Sequence, residues 1–393
     1  MKVLFLEWNC FGGSFVISAM ERRGWQIAKF DLFCEKEDTR YSEKLTLQVA
    51  EVAKKENVDF IFSLNYYPVA AIAGAMHGIN YVSWTYDSPS IQLYSQTISY
   101  PTNIACIFDY SEYLRLKLKG VETVHYLPLA SAADYFDSIS ISAAERKKYD
   151  ADVAMVGSMY SEDKHRLSKH FEKLDLYTTG YLDALKKVQF GLYGINVIPN
   201  ALTEKIIKNI QAVCPIFEKE DGIEDIDWVI DKYFLCRDIT AQERHRVISE
   251  LGNICKVKLY TNNNEIKIKG VENVGKVEYY TEMPKAFKCA KININVTLKS
   301  IETGIPLRAF DIMACKGFLL TNYQADYDPL FVRGEDYEIY EDYNDLVEKV
   351  RYYLNHTDER LRIAENGYKK VKELHSYDKR LDQIELLLIN KGH

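Results

Sequence analysis

The chain has 393 residues, of which 47% are hydrophobic and 27% are charged, and its formal net charge is −7. This length predicts two domains, and the composition is that of a globular protein with two cores. The acidic balance argues against a protein that binds nucleic-acid phosphates, and no apolar run reaches the roughly 18 residues of a membrane span. The eight cysteines form no CxxC pair, so we expect reduced thiols and a cytoplasmic protein.

Short apolar segments alternate with helical patterns along the first third of the chain. The strand-like segments are KVLFLEW (2–8), WQIAKFD (25–31), DFIFSL (59–64), INYVSWT (79–85), NIACIFD (103–109) and TVHYLPLA (123–130). Apolar strands separated by helices indicate a parallel, doubly wound sheet. We predict an N-terminal Rossmann-like domain over residues 1–134.

A second series of strands begins after a polar connection. Its members are ADVAMVGSMY (151–160), KVKLYT (256–261), VGKVEY (274–279), ININVTL (292–298), GFLLTN (317–322) and YEIY (337–340). They predict a second Rossmann-like domain over residues 150–375. We therefore expect an α/β protein in which two such domains face a cleft.

The stretch 161–253 has a mostly helical pattern and is far longer than a strand-to-strand crossover requires. We interpret it as a helical insertion in the second domain that forms a lid, an acceptor platform or a surface for homo-oligomers. Residues 376–393 are predicted to form a C-terminal helix that packs back on the N-terminal domain.

The segment SIETGIPLRAFDIMACKG (300–317) predicts an anion site. Pro306 suits the first position of a helix, and the backbone amides of Gly304, Ile305 and Leu307 then lie at the positive end of its dipole. Arg308 in the first turn can donate two hydrogen bonds to a phosphate. Lys299, at the end of the preceding strand, supplies a second cation, and we assign both cations a catalytic role at a departing diphosphate.

Asp311 follows Leu307 by one helical turn and can accept hydrogen bonds from the two hydroxyls of a ribose. The alternative is that Arg308 and Asp311 form an ordinary surface pair at i,i+3. Gly157 and Ser158 follow the first strand of the second domain and are further candidates for binding this ligand. Ligands of open parallel sheets bind at the carboxyl ends of the strands.

Several segments resemble the CgeB-like, spore-protein-type bacterial glycosyltransferases. They are IETGIPLRAFDIMACKGFLLTNY (301–323), FVRGEDYEIYEDYNDLVEKVRYYL (331–354), YDSP (86–89) and DVAMVGSMY (152–160). The resemblance spans most of the chain except 161–253. It implies a GT-B fold in which the second domain binds the donor and the first approaches the acceptor.

The resemblance also implies roles for single residues. Retaining GT-B relatives carry two glutamates eight positions apart, the first touching the sugar and the second the ribose. Here the second position is Asp311, whereas the first falls on Thr303, with Glu302 adjacent. The nucleotide base is expected near Val277 and Tyr279, although a tyrosine face stacks on any base.

The acceptor-side candidates follow strands of the first domain. Gly12 and Gly13 in NCFGGS permit close backbone approach of a ligand, although the GxGxxG spacing is absent and a plain tight turn is an equal alternative. Asn65 and Tyr86 follow the third and fourth strands. Asp87 can deprotonate an acceptor hydroxyl or bind sugar hydroxyls; the alternative is a turn aspartate that caps its own loop.

Metal ligands are not predicted. The sequence contains three DxD pairs, Asp150/Asp152, Asp225/Asp227 and Asp326/Asp328, which is close to the number expected by chance. The histidines lack ligand spacing. Together with the resemblance, these features predict a metal-independent hexosyltransferase without a cofactor. Its donor would be a nucleotide-diphosphate sugar, UDP-linked, and its acceptor a protein or glycan. Two alternatives remain, a catalytically inactive spore-coat or assembly protein of the same fold and a UDP-sugar epimerase.

Overall fold

The computed structural model describes residues 1–8, 10–33, 37–161, 167–214 and 220–391. They belong to two compact units. The first comprises Met1–Ser131, Glu218–Glu224 and His375–His393, and the second comprises Ala132–Phe217 and Asp225–Leu374. Within the predicted insertion, 162–166 and 215–219 lie outside the described residues.

Each unit contains one six-stranded sheet in which all strands are parallel. The strands of the first sheet are β1 Lys2–Glu7, β2 Gln26–Asp31, β3 Phe60–Leu64, β4 Asn80–Trp84, β5 Asn103–Ile107 and β6 Val124–Tyr126. Those of the second are β7 Ala151–Val156, β8 Val257–Tyr260, β9 Val271–Asn273, β10 Ala290–Asn295, β11 Leu319–Asn322 and β12 Glu338–Tyr340. The predicted α/β fold with two doubly wound parallel sheets is confirmed.

Helices cover the sheets and form the insertion. Those of the first unit are α1 Gly13–Arg22, α2 Glu43–Glu56, α3 Pro68–His77, α4 Tyr110–Leu118 and α16 Tyr377–Asn390. Those of the second unit are α5 Ala133–Ser138, α6 Ala143–Tyr149, α7 Leu176–Gln189, α8 Ile198–Ala201, α9 Glu204–Val213, α10 Ile226–Val229, α11 Cys236–Gly252, α12 Met283–Cys289, α13 Leu307–Ala314, α14 Tyr343–Asn355 and α15 Thr357–Leu374. A π-helix, Ile230–Leu235, joins α10 to α11.

The strand orders fix where ligands can bind. The first sheet has the order β2-β1-β3-β4-β5-β6, and the second has the order β12-β11-β10-β7-β8-β9. The chain changes direction across the sheet between β1 and β3 in the first unit and between β7 and β10 in the second. Crevices at the carboxyl ends of strands flanking such a reversal are the usual ligand sites of open parallel sheets.

The C-terminal helix α16 belongs to the first unit and packs on α1. Its Arg380 is buried and donates hydrogen bonds to the backbone carbonyls of Pro128 (2.8 Å) and Leu129 (3.1 Å). The charged donor satisfies carbonyls that follow β6, which anchors the end of the chain to this sheet.

The insertion has its own hydrophobic core. Apolar side chains from α7, α8, α9, the π-helix and the start of α11 pack together, including Leu182, Ile198, Ile206, Ile210, Leu235 and Ile239. A separate core lies on the second sheet, where Val153, Leu259, Ile292 and Ile294 pack with residues of α11, α14 and α15. The insertion therefore forms a packed helical layer with an interior of its own.

Two of the predicted strands are corrected. Residues 274–279 are not a strand, since Gly275 adopts a positive φ of 91° and the Glu278 carboxylate accepts a hydrogen bond from the Thr281 amide, which turns the chain into α12. The strand predicted over 123–130 ends at Tyr126, two residues before Pro128, which has no amide hydrogen to donate. Among the described residues, no helix is long and apolar enough to cross a membrane.

Candidate functional site

Arg308 joins the two strands that flank the reversal of the second sheet. It lies in the first turn of α13, where its Nε donates to Asn295 Oδ1 (3.0 Å) at the end of β10. Its Nη1 donates to the carbonyl oxygen of Val156, the last residue of β7. Both acceptors are neutral, so these bonds orient the guanidinium without cancelling its charge.

A second arginine, Arg244 of α11, donates hydrogen bonds to residues that follow the same two strands. It is 2% exposed, and its Nε and Nη2 donate to the carbonyl oxygen of Val296 at 3.1 and 2.6 Å. Its Nη1 donates to the carbonyl oxygen of Ser158, and its guanidinium lies 4.9 Å from the ring centre of Tyr160. Burial, followed by the neighbouring Arg244 charge, lowers the pKa of Arg308.

We call Arg244 and Arg308 the arginine pair. Two adjacent guanidinium groups in a partly desolvated position repel each other, and an anion placed against both relieves that repulsion. The helix dipole of α13 adds positive potential at the same edge of the sheet. The arrangement therefore favours a ligand that carries at least two negative charges, such as a diphosphate.

Gly157 allows the pair to approach the end of β7. Its φ is 143°, a conformation that side chains rarely adopt, and a Cβ at this position would collide with the guanidinium of Arg308. The neighbouring Ser158 hydroxyl accepts a hydrogen bond from the amide of Tyr160 (2.9 Å). Both predicted residues thus lie beside the arginine pair.

The loop before α13 is held by Gln324, whose side-chain amide donates to the carbonyls of Ile301 (3.0 Å) and Gly304 (3.2 Å). Ile305 is buried in this loop. The helix begins at Leu307 with Pro306 as its N-cap, one position later than predicted.

Asp311 and Tyr279 lie together in a buried position. Asp311 is 1% exposed and accepts a hydrogen bond from the Tyr279 hydroxyl (3.0 Å). The Tyr279 ring is also buried, and it contacts Tyr280 edge to face. Val277 packs against a small apolar cluster beneath β7 and β8. A ribose would reach the carboxylate only after displacing the Tyr279 hydroxyl.

Lys299 lies against a buried carboxylate. Its Nζ is 2.8 Å from Glu243 Oε1 of α11, and its ammonium also lies 4.0 Å from the ring centre of Tyr193. Because the pair is mutually neutralising, Lys299 offers a diphosphate less charge than the arginine pair does.

Glu302 and Thr303 line an open cavity at the carboxyl ends of β10 and β11. Thr303 holds the neighbouring loop through its carbonyl oxygen, which accepts from the amide of Asp326 (3.0 Å). Glu302 contacts Lys232 of the π-helix and accepts a hydrogen bond from the side chain of Asn196 (3.2 Å).

The acceptor-side candidates meet at the carboxyl edge of the first sheet. Asn65, in a left-handed conformation (φ 66°), accepts hydrogen bonds from the amides of Tyr86 (2.8 Å) and Asp87 (3.0 Å). Its Nδ2 donates to Asp87 Oδ2 (2.7 Å), and the Asp87 side chain remains exposed. The side chain of Asn65 thus fixes the orientation of the carboxylate.

The glycines after β1 lie close to the same residues. Gly12 has a φ of 80°, and a Cβ there would come within 2.6 Å of the Tyr377 hydroxyl and 3.5 Å of Tyr86. Gly13 is buried at the start of α1. Asn9 of the same segment lies outside the described residues.

Residues 234–385, less than half of the chain, match a family model described as glycosyl transferase-like. Sucrose-phosphate synthase from Thermosynechococcus elongatus aligns over 99% of this chain and 98% of its own, with a TM-score of 0.56 at 10% identity. The Anabaena protein HepE, solved in complex with UDP-glucose, aligns over 99% and 100%, with a TM-score of 0.54 at 14% identity. The chain has the GT-B glycosyltransferase fold. No curated protein matches it in sequence.

A further GT-B neighbour is a glycosyltransferase from Rickettsia africae, which covers 99% of this chain and 98% of its own, with a TM-score of 0.51 at 11% identity. At these identities the likeness concerns the fold alone.

Sequence reasoning missed Arg244, although a signal for it exists. The buried positions of α11 recur with helical spacing, and three of them are polar: Thr240, Glu243 and Arg244. The same holds for β10, where Asn293 and Asn295 are buried at alternate positions of an apolar strand. Polar residues at core positions require partners, so they mark networks worth locating.

The close approach of Gly157 to Arg308 generates a prediction about stability. Gly157→Ala should lower the free energy of unfolding by about 1–3 kcal/mol, because the methyl group strains the backbone and pushes against the guanidinium. Urea denaturation of the purified protein measures this loss. The matched comparison is the same substitution in an Arg308→Ala background, where the collision is absent and the loss should be smaller by about 1 kcal/mol. An equal loss in both backgrounds would contradict the contact.

Proposed function

We propose that this GT-B protein is a metal-independent hexosyltransferase. It moves a sugar from a nucleotide-diphosphate sugar, UDP-linked, to a protein or glycan acceptor. The observation that carries the proposal is the arginine pair, which lies where the second sheet reverses its strand order and where open parallel sheets bind ligands.

The diphosphate is the part of the donor that this site fits best. Each guanidinium is fixed by bonds to strand-end acceptors, so little reorganisation is needed when a dianion binds. The choice of uridine is supported by the HepE structure, which was solved with UDP-glucose. Asp311 and Tyr279 are the proposed contacts to the nucleoside, and a ribose would replace the bond between them.

The arginine pair also supplies positive charge where the departing diphosphate becomes more negative. As the bond between the sugar and the diphosphate breaks, positive charge develops on the sugar and negative charge on the departing phosphate oxygen. Arg244 and Arg308 stabilise that negative charge, which is the task a divalent cation performs in metal-dependent enzymes. Among the described residues there is no group of three or more His, Cys, Asp or Glu side chains placed to hold a metal.

On the first sheet, Asp87 is proposed to orient or deprotonate the acceptor hydroxyl. A general base must be accessible and held in place, and Asp87 is exposed while Asn65 fixes it through a bond of 2.7 Å.

The central test of this function is the effect of each arginine on donor cleavage. Arg308→Ala and Arg244→Ala should lower turnover about 100-fold, because the contacts strengthen as charge develops on the diphosphate. UDP affinity should fall less, by about 10-fold. The measurements are UDP titration by calorimetry and the rate of UDP release from UDP-sugars.

The matched control is Arg246→Ala, which removes an exposed guanidinium from the same helix, where Arg246 lies 4.1 Å from the Tyr343 ring centre. It should leave both quantities within a factor of two. If Arg246→Ala and the two site variants behave alike, the arginine pair has no part in the reaction.

Asp87 should affect only the transfer to an acceptor. Asp87→Asn keeps the size of the side chain but removes its basicity, so sugar transfer should fall at least about 100-fold. Affinity for UDP and slow hydrolysis of the donor should remain nearly unchanged, since no nucleotide contact is removed. The matched control, Asp59→Asn, changes an exposed aspartate of the same unit. If Asp87→Asn loses UDP binding, the donor binds at the first sheet, and the proposed assignment of the donor to the second sheet is wrong.

A further inference from the structure

Asn295, the last residue of β10, connects the side chain of Arg308 to the interior of the second sheet. It is completely buried, and its Oδ1 accepts the hydrogen bond from Arg308 Nε at 3.0 Å. Its Nδ2 donates two hydrogen bonds, to the hydroxyl oxygens of Thr297 (3.0 Å) and Thr321 (2.9 Å). Both ends of this amide are therefore engaged, the oxygen by the arginine and the nitrogen by the two threonines.

The pairing of β10 with β11 decides which way the amide points. Thr321 is the register partner of Asn295, so both side chains lie on the same face of the sheet. The Thr321 hydroxyl has one proton, which it donates to the carbonyl oxygen of Asn322 (3.2 Å). Towards Asn295 this hydroxyl can then only accept. The nitrogen of the amide faces Thr321, and its oxygen is left to face Arg308.

The same network reaches the loop before α13. The Thr297 amide donates to Asn322 Oδ1 (2.8 Å), and Asn322 Nδ2 donates to Gln324 Oε1 (3.4 Å). Gln324 in turn holds the carbonyls of Ile301 and Gly304. Thr297, Asn322 and Gln324 are each 3% exposed. Because a satisfied buried network resists rearrangement, the guanidinium and the loop that precedes its helix are held in one arrangement.

The acceptor at position 295 is neutral, and this affects what the arginine can bind. Aspartate has nearly the same size and shape as asparagine, but its carboxylate at this position would form an ion pair with the Arg308 guanidinium. An incoming diphosphate would then have to compete with an anion that belongs to the protein. An amide oxygen orients the guanidinium and leaves its positive charge available.

We propose that Asn295 is a positioning residue for Arg308, and that its uncharged amide keeps the arginine pair able to bind a dianion. Thr297 and Thr321 hold the amide so that its oxygen faces the guanidinium. This inference rests on the proposed function and deepens it, from the two arginines to the residue that sets the orientation and the available charge of one of them.

The test compares the affinities of the full chain for UDP and for uridine by calorimetry. Asn295→Asp should lower UDP affinity about 10-fold or more and leave uridine affinity within a factor of two, because only the diphosphate contacts Arg308. The dependence of UDP affinity on salt should also weaken, since one cation of the pair is neutralised. The new ion pair should keep this variant folded, with a melting temperature no lower than that of Asn295→Ala.

Asn295→Ala separates orientation from charge. It removes the bond to Arg308 Nε but leaves both guanidinium charges, so UDP affinity should fall less than in Asn295→Asp and should keep its dependence on salt. Turnover, measured as UDP release from UDP-sugars, should fall by a larger factor than UDP affinity. A guanidinium that is no longer held in place stabilises the departing diphosphate less well.

Thr321 provides a pair of variants that leave position 295 intact. Thr321→Val removes the hydroxyl that accepts from Asn295 Nδ2, whereas Thr321→Ser keeps it. The valine variant should narrow the difference between UDP and uridine affinity about 3-fold, and the serine variant should keep that difference within a factor of two of the wild type. Equal behaviour of the two variants would contradict the role of the hydroxyl.

The matched control is Asn344→Asp, which introduces the same charge at an exposed position of α14 and should leave both affinities within a factor of two. Two results would overturn the inference: a folded Asn295→Asp variant keeps the full preference for UDP over uridine, or it loses affinity for UDP and uridine alike. In both cases the wild type still prefers UDP and the proposed function stands. If the wild type binds UDP no better than uridine, the proposed function falls together with this inference.

Discussion

Two guanidinium groups held side by side across the ends of β7 and β10 are the constraint on which the second unit depends. Each is fixed by oxygens at the ends of these strands, and the glycine at position 157 gives one of them the space to approach. Like charges in a partly desolvated position destabilise each other, and burial together with the Arg244 charge lowers the pKa of Arg308. Such a site is set up in advance for a dianion, which recovers the electrostatic cost when it binds.

The helical insertion is part of this site and not an appendage. The start of α11 belongs to the insertion's core, and the same helix carries Arg244 to the switch point and Glu243 to Lys299. The π-helix before it delivers Lys232 to Glu302. One continuous helical segment thus connects the arginine pair to the cavity. A loss of packing in the insertion would therefore disturb both the arginine pair and the cavity.

Much of the fold could be predicted because alternating apolar strands and helices leave few topologies open. Arg308 is a candidate from the sequence because it follows Gly304 and Pro306 in one short segment. Arg244 and Lys232 could not be found that way. Each lies far along the chain from the residue that it contacts, and only tertiary packing brings them together. The place of Lys299 after β10 suggests a contact with the diphosphate. Its buried partner Glu243 lies 56 residues away along the chain, so the sequence does not reveal this pairing.

The most direct test of the account is the difference in affinity between UDP and uridine for the unmodified protein. Both ligands share the nucleoside, and only UDP carries the diphosphate that we propose the arginine pair binds. The account predicts that UDP binds at least about 100-fold more tightly at low ionic strength, and that added salt narrows the gap because it screens the charges. Equal affinities for UDP and uridine, unaffected by salt, would contradict it.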